Sequence, residues 1–313
     1  MHLAPLKTDQ PAPAPPRLTT TVPREYVHRA CHAEVFLTGC TPHSENRFAL
    51  HGQWPRAHTF FQSPDGTRHD PLLTAETFRQ AGLLLAHAEL GVPLGHHFVM
   101  WELAFTTEPD HLNIGHHPTD IHLTATCTDI TRRRTKATGF RMELTIHHDG
   151  QPIAAGGGRF TVIPPTVYHR LRGTRPTSDT SALQGIPRRT LPPTTVGRAR
   201  PTDVVLSPAD EPHRWLLTPD PTHPVLYDHT GDHHPGMVLL EATRQAASAL
   251  VAPTTLMPTA ISTVFHHYAE LDQPCLIEAT LATPQEHHHT TIEVTGHQNG
   301  QPVFTSLLTG QPT

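Results

Sequence analysis

The chain has 313 residues, 36% of them hydrophobic, and 28 acidic against 23 basic side chains for a formal net charge of −5, which is long enough for two domains that each bury a core. That balance provides no broad cationic field for a nucleic acid, and no apolar run approaches the roughly 20 residues that cross a bilayer, so neither a nucleic acid nor a membrane is expected as a partner. The four cysteines, Cys31, Cys40, Cys127 and Cys275, have no CxxC spacing and read as free thiols, not as a zinc site or a disulfide framework.

The first segment, "MHLAPLKTDQPAPAPPRL", is Pro-rich and lacks the apolar stretch of a secretory signal, so residues 1–23 are expected to be a disordered leader and the protein cytoplasmic. "REYVHRACHAEVFLTGC" and "NRFALHGQWPR" then alternate like strands. "PLLTAETFRQAGLLLAHAELG" predicts a long, mostly apolar helix, with Asp70 as candidate N-cap, Pro71 in the first turn and Gly91 at the end. "HHFVMWELAFTTE", "TDIHLTATCTDI", "GFRMELTIHHDG" and "QPIAAGGGRFTVI" follow as antiparallel strands, the last two joined by an Asp-Gly turn. The basic run Arg132, Arg133, Arg134 and Lys136 reads as a solvated hairpin end.

These elements make a first domain over residues 24–171. Residues 172–202, rich in Pro, Thr, Arg and Gly without periodicity, read as a linker. A second domain over 203–313 repeats the order, with "DVVLS" and "RWLLTP", a helix from about Gly236 to Val251, then "AISTVFHHYAEL", "CLIEATLATP", "TTIEVTGHQNG" and "QPVFTSLLTG". The repeat extends to single residues. "RHDPLLTAETFRQAG" and "HHPGMVLLEATRQAA" superpose with an offset of 241 − 76 = 165, which also carries Arg79 onto Arg244, Gln80 onto Gln245, His69 onto His234 and His58 onto His223.

A helix apolar around most of its circumference must be covered, so each half is expected to be α+β, an antiparallel sheet wrapped around one central helix, and the two halves to pack as a pseudo-dimer. The polar exceptions on such a helix are informative, because burying an unpaired charge is costly. Glu76 with Arg79 and Glu241 with Arg244 are spaced to meet on one face. One meaning is an ion pair that fixes the packing of the two halves. The other is chemical: backbone donors at the Gly236 helix start can stabilise an oxyanion, and an acid one turn on can move a proton. The chain's 28 histidines include neighbours such as His287, His288 and His289, which in a strand point to alternate faces, so no metal site is expected. No cofactor signature appears.

"HPVLYDHTGDHHPGMVLLEATRQAA", "RHDPLLTAETFRQA", "GVPLGHHFVM" and "VTGHQNGQPVF" resemble the A-factor biosynthesis hotdog proteins, the AfsA-type synthases of gamma-butyrolactone signalling molecules. The resemblance covers almost everything outside the leader and the linker. It implies a tandem double hotdog fold and transfer of a 3-oxoacyl group from an acyl-carrier-protein thioester to the hydroxyl of dihydroxyacetone phosphate. "PGMVLLEATRQA" also resembles the helix start of the hotdog 3-hydroxyacyl dehydratases, in which a histidine and a glutamate do acid–base chemistry. A dehydratase, a thioesterase or a non-catalytic acyl-binding module are therefore the alternatives.

An alcohol attacking a thioester needs a base, donors for the oxyanion and a cation for the phosphate. The expected assignment makes Glu241 the base and Gly236 the oxyanion donor. Arg244 either binds the phosphate or orients Glu241, and Gln245 fixes the carboxylate or a substrate carbonyl. Without a nucleophilic Ser or Cys motif, direct transfer is expected in place of an acyl-enzyme. Because the first helix starts with Asp70–Pro71 where the second has Pro235–Gly236, and proline has no N–H, the site of Glu76, Arg79 and Gln80 is expected to be the weaker one. If the halves exchange histidines as dimeric hotdog dehydratases do, His58 faces Glu241 and assists proton transfer, while His223 faces Glu76.

Overall fold

The computed structural model describes residues 20–173, 189–229, 231–282 and 289–312. The first half supplies β1 (Leu37–Ser44), β2 (Arg47–Trp54), α1 (Leu72–Ala88), β3 (His97–Thr107), β4 (Thr119–Arg133), β5 (Lys136–His148) and β6 (Gln151–Ile163), followed by the short α2 (Pro165–Arg172). The second half supplies β7 (Leu206–Pro208), β8 (Arg214–Leu217), α3 (Gly236–Val251), β9 (Leu256–Phe265), β10 (Leu276–Leu281), β11 (Thr290–Gln298) and β12 (Gln301–Pro312). All strands join one sheet in the order β1-β2-β4-β5-β6-β3-β9-β12-β11-β10-β8-β7. Read inward from either edge, the two halves have the same order, and they meet where β3 runs antiparallel to β9 with Leu103 opposite Thr263.

Local sequence accounts for most of this. β2 alternates buried and exposed residues along its length, as a strand with one face on a core must. The β5–β6 hairpin turns at Asp149 and Gly150, with φ of 48° and 76°, and β11–β12 turns at Asn299 and Gly300, with 51° and 72°. Both central residues of such a turn need positive φ, which Asp-Gly and Asn-Gly supply. The exposed Arg132–Arg134 run closes the β4–β5 hairpin. Almost every residue of α1 is buried, as the all-round apolar pattern requires. Gly82 lets this helix sit close on the sheet, since a Cβ there would lie 2.8 Å from the Phe160 ring. Among the described residues no helix is long and apolar enough to cross a membrane.

Two stretches differ from the expectation. Residues 24–34 form no strand but two 3-10 turns, Arg24–Val27 and His32–Glu34, and the first strand begins only at Leu37. The alternation there arises because Val27 and Arg29 both turn inward while His28 takes a left-handed φ of 51°, which an extended strand does not allow. The second stretch is the C-terminal part of the expected linker. Turns Pro193–Val196 and Pro201–Asp203 repeat those of the first half, and Val196 and Arg198 are buried. Residues 1–19 of the expected leader, 174–188 of the expected linker, and His287 and His288 lie outside the described residues.

Candidate active site

Glu241 lies on the buried face of α3 and is fully buried. Arg198 donates from Nε to Oε1 at 2.7 Å and from Nη2 to Oε2 at 2.5 Å, while Arg244 donates from Nε to Oε2 at 3.1 Å and from Nη2 to Oε1 at 2.8 Å. The amide of Gln245 also donates to Oε1, at 2.5 Å. Both oxygens are therefore taken up. Burial alone would raise the carboxyl pKa, but the two guanidiniums outweigh it and hold it down to about 2. Gln245 additionally accepts from the Val205 N–H and donates to Asp203 O, which clamps the chain before β7 to α3.

The first half repeats this network around Glu76, which is also fully buried. Arg29 donates from Nε to Oε1 at 2.9 Å, Arg79 donates to both oxygens at 2.7 and 2.9 Å, and Gln80 donates to Oε1 at 2.7 Å. Here too the two guanidiniums overcome burial and hold the carboxyl near 2. Gln80 accepts from the Phe36 N–H and donates to Glu34 O. Arg29 and Arg198 also reach across the molecule. Arg198 donates to Phe60 O at 2.7 Å and pairs with Asp70 at 3.1 Å, just before α1. Arg29 donates to Val225 O at 3.0 Å and lies 3.8 Å from Asp228, in the loop before α3. Each glutamate is thereby tied to the helix approach of the opposite half.

This exchange runs through arginines, and the structure does not bring His58 to Glu241 or His223 to Glu76. His58 Nε2 lies 3.3 Å from Glu34, and its Nδ1 accepts the N–H groups of Phe60 and Phe61. His223 does the same with Asp203, Val225 and Leu226. Both rings shape their own loop, presenting Phe60 O and Val225 O to the arginines of the other half. With Nδ1 accepting from its own loop and Nε2 facing a carboxylate of its own half, neither ring is hydrogen-bonded to the glutamate of the other half.

Arg29 and Arg198 are functional partners that the helix-based repeat did not single out. They correspond with an offset of 198 − 29 = 169, shared by Val27 with Val196 and by Glu34 with Asp203. The signal was present but out of step with the 165-residue register of the helices, and on the second side it lay in Pro-rich sequence that resembled a linker.

The two networks differ at their outer ends. Arg244 has only 6% of its side chain exposed, and it also donates to Val196 O and Gly197 O. Arg79 has 18% exposed, donates to Val27 O through Nη2, and has no hydrogen bond at Nη1 among the described residues. The helix starts differ as well. At α1, Asp70 accepts the Leu72 N–H at 2.9 Å and Pro71 is buried. At α3 no side chain caps the first turn, and Gly236 is exposed. The open helix start is thus that of α3, and the loop leading to it packs on the Glu76 network, not on that of Glu241. Among the described residues no group of three or more His, Cys, Asp or Glu side chains is placed to hold a metal ion.

Comparison with known proteins agrees with this architecture. The family model described as "A-factor biosynthesis hotdog domain" (AfsA) matches residues 10–164 and again 179–313. A Streptomyces virginiae protein named 2-oxo-3-(phosphooxy)propyl 3-oxoalkanoate synthase is 47% identical over 291 residues, 93% of this chain and 98% of its own. A Streptomyces griseus protein of the same name is 37% identical over 286 residues, covering 91% and 94%. Among solved structures, the 12:0-ACP thioesterase from Umbellularia californica superposes with a TM-score of 0.52 at 10% identity, over 85% of this chain and 94% of that one. An acyl-ACP thioesterase from Bacteroides thetaiotaomicron gives 0.50 at 12% identity, over 85% and 98%, and both likenesses concern the fold alone. With two helix-wrapping halves in one sheet and two matches to one domain, the chain belongs to the A-factor biosynthesis hotdog (AfsA) family.

Proposed function

We infer that this protein is an acyltransferase that condenses a 3-oxoacyl thioester, carried by an acyl carrier protein, with the hydroxyl of dihydroxyacetone phosphate. The product is a phosphorylated 3-oxoacyl ester, the precursor of a gamma-butyrolactone-type signal. The observation that carries this reading is the near full-length similarity to two relatives whose name specifies that ester. The geometry adds three supports. The uncapped start of α3 at Gly236 offers backbone donors to a developing oxyanion. Arg79 Nη1, which has no hydrogen bond among the described residues, offers a cation to the acceptor phosphate. Both glutamates are fully buried with each oxygen hydrogen-bonded to protein, so Glu241 and Glu76 hold the arginines and glutamines that fix the two loops. That changes the role expected for Glu241, because a fully buried carboxylate whose oxygens already accept from Arg198, Arg244 and Gln245 does not reach the acceptor hydroxyl.

The test is to incubate the purified protein with a 3-oxoacyl-carrier-protein thioester, with and without dihydroxyacetone phosphate, and to analyse the products by mass spectrometry. The expected result is the phosphorylated ester, formed only when both substrates are present. Release of the free acid at a rate indifferent to the acceptor would make the protein a thioesterase. Tight acyl binding without turnover would make it a binding module.

A further inference from the structure

The first half carries a side-chain arrangement that the second half lacks, and it lies at the open end of the Glu76 network. His28 holds a left-handed φ of 51°, and the matching position in the second half is Gly197, with φ of 62°. Glycine adopts that conformation freely, whereas another residue there is held against a backbone cost. The histidine at this position is oriented by a second one. His28 Nε2 lies 2.9 Å from His87 Nε2, and His87 Nδ1 lies 2.9 Å from Val92 O.

A carbonyl oxygen only accepts, so His87 Nδ1 carries the proton. Burial lowers the His87 pKa, which leaves that ring neutral with Nε2 as an acceptor, and His28 Nε2 must then be the donor. The consequence falls on the other side of the His28 ring. Its Nδ1 is a lone pair with no hydrogen bond among the described residues, on a ring that is only part-buried. Phe98 packs edge-on to both rings, at 5.4 Å from His28 and 5.3 Å from His87, and holds their planes.

We propose that His28 is the general base of the acyl transfer, with its Nδ1 facing the acceptor hydroxyl while the phosphate of the same acceptor docks on Arg79 Nη1 and the exposed His229. This assignment rests on the acyltransferase reading above and names the acceptor site within it. In the step itself, the hydroxyl proton passes to His28 Nδ1 as the hydroxyl oxygen bonds to the thioester carbonyl carbon. The carbonyl electron pair moves onto its oxygen. When the carbonyl reforms, the C–S bond breaks and the leaving thiolate takes the proton back from His28, so the protein ends unchanged.

The environment suits this cycle. Burial first, and then the Arg79 cation, hold the His28 imidazole near 3, with His87, His229 and His97 adding to the effect, so the ring enters the reaction unprotonated. A phosphate on Arg79 offsets that cation's share of the depression and raises the basicity of His28 when the acceptor is bound, while burial, the larger cause, remains. In the second half Gly197 leaves no side chain for this role, and the Arg244 nitrogen beside it is already committed.

The decisive variant is His28→Gly, which installs the residue that the second half carries at the same backbone conformation and is therefore expected to fold. His28→Asn, also tolerant of positive φ, is the second variant if the first does not. With both substrates saturating, turnover is expected to fall about 10²–10⁴-fold, the usual contribution of a positioned base. The KM for dihydroxyacetone phosphate should stay within about threefold, and added imidazole should restore part of the rate to His28→Gly. A turnover within about threefold of wild type, or an equal loss through KM without rescue by imidazole, would overturn the assignment. If the wild-type protein forms no ester from these substrates, the acyltransferase reading itself fails, a result separable from any behaviour of the variants.

Discussion

Arg198 and Glu241 illustrate how a buried charge is kept in this molecule. Each is all but inaccessible, and each gains from the other what it lost with its hydration. Removing one partner leaves the remaining charges buried and uncompensated. Arg198→Met should therefore destabilise the protein by about 3–5 kcal/mol, measurable as a lower denaturant midpoint; a loss below about 1 kcal/mol would mean that water already reaches the pair. The two glutamates are not expected to be equivalent in turnover. Glu76→Gln loosens Arg79, 18% of whose side chain is exposed, whereas Glu241→Gln loosens Arg244, with 6% exposed. Among folded variants, Glu76→Gln should lose more activity, the reverse of what the helix-start residues alone suggest. Arg79→Lys, which keeps the charge but not the forked geometry, should raise the KM for the phosphate acceptor about tenfold or more, with a smaller change in turnover.

At the scale of elements, the asymmetry between α1 and α3 lies in their first turns. Position 71 is proline and the matching position 236 is glycine, and proline is well accommodated at the first helical residue because its missing N–H has no partner within the helix. Gly236→Pro should leave the melting temperature nearly unchanged. If the Gly236 N–H meets the oxyanion, turnover should drop about 10²–10³-fold, and an unaffected rate would remove this donor from the mechanism. The loop histidines make the opposite forecast. His58→Ala frees the N–H groups of Phe60 and Phe61 from their common acceptor, so its main effect should be lower stability, about 1–3 kcal/mol, with turnover per folded molecule largely preserved.

For the whole molecule, these buried groups set the response to acid. Glu76 and Glu241 are held near 2, below their ordinary 4.5, while His28, His69 and His234 are held near 3, 4 and 3, below 6.5. In every case the unfolded chain takes up the proton first. The stability contributed by the neutral histidines is complete above about pH 6.5 and is lost as the pH falls toward their folded values; that of the carboxylates is complete above about 4.5 and is lost on the way to 2. Melting temperature should therefore fall slowly from pH 6.5 and steeply below 4.5. A flat profile down to pH 4 would mean that the histidines are solvated.

The amino-acid sequence by itself determined the repeated unit, because the periods of strand and helix are local properties and the 165-residue offset preserves them. It determined the hairpins, through the backbone freedom of Asp-Gly and Asn-Gly, and it marked Glu76 and Glu241 as the charges an apolar helix must explain. Tertiary structure alone decided what those charges meet. Arg29 and Arg198 come from turns that look like strand and linker in sequence, since a buried contact depends on where a side chain arrives in space and not on the periodicity around it. Tertiary packing also turned His58 and His223 inward onto their own loops, and brought Arg198 from a distant turn onto Glu241. A shared local pattern makes two similar halves, and only their mutual packing, through the β3–β9 junction and the crossing arginines, leaves Arg79 more exposed than Arg244.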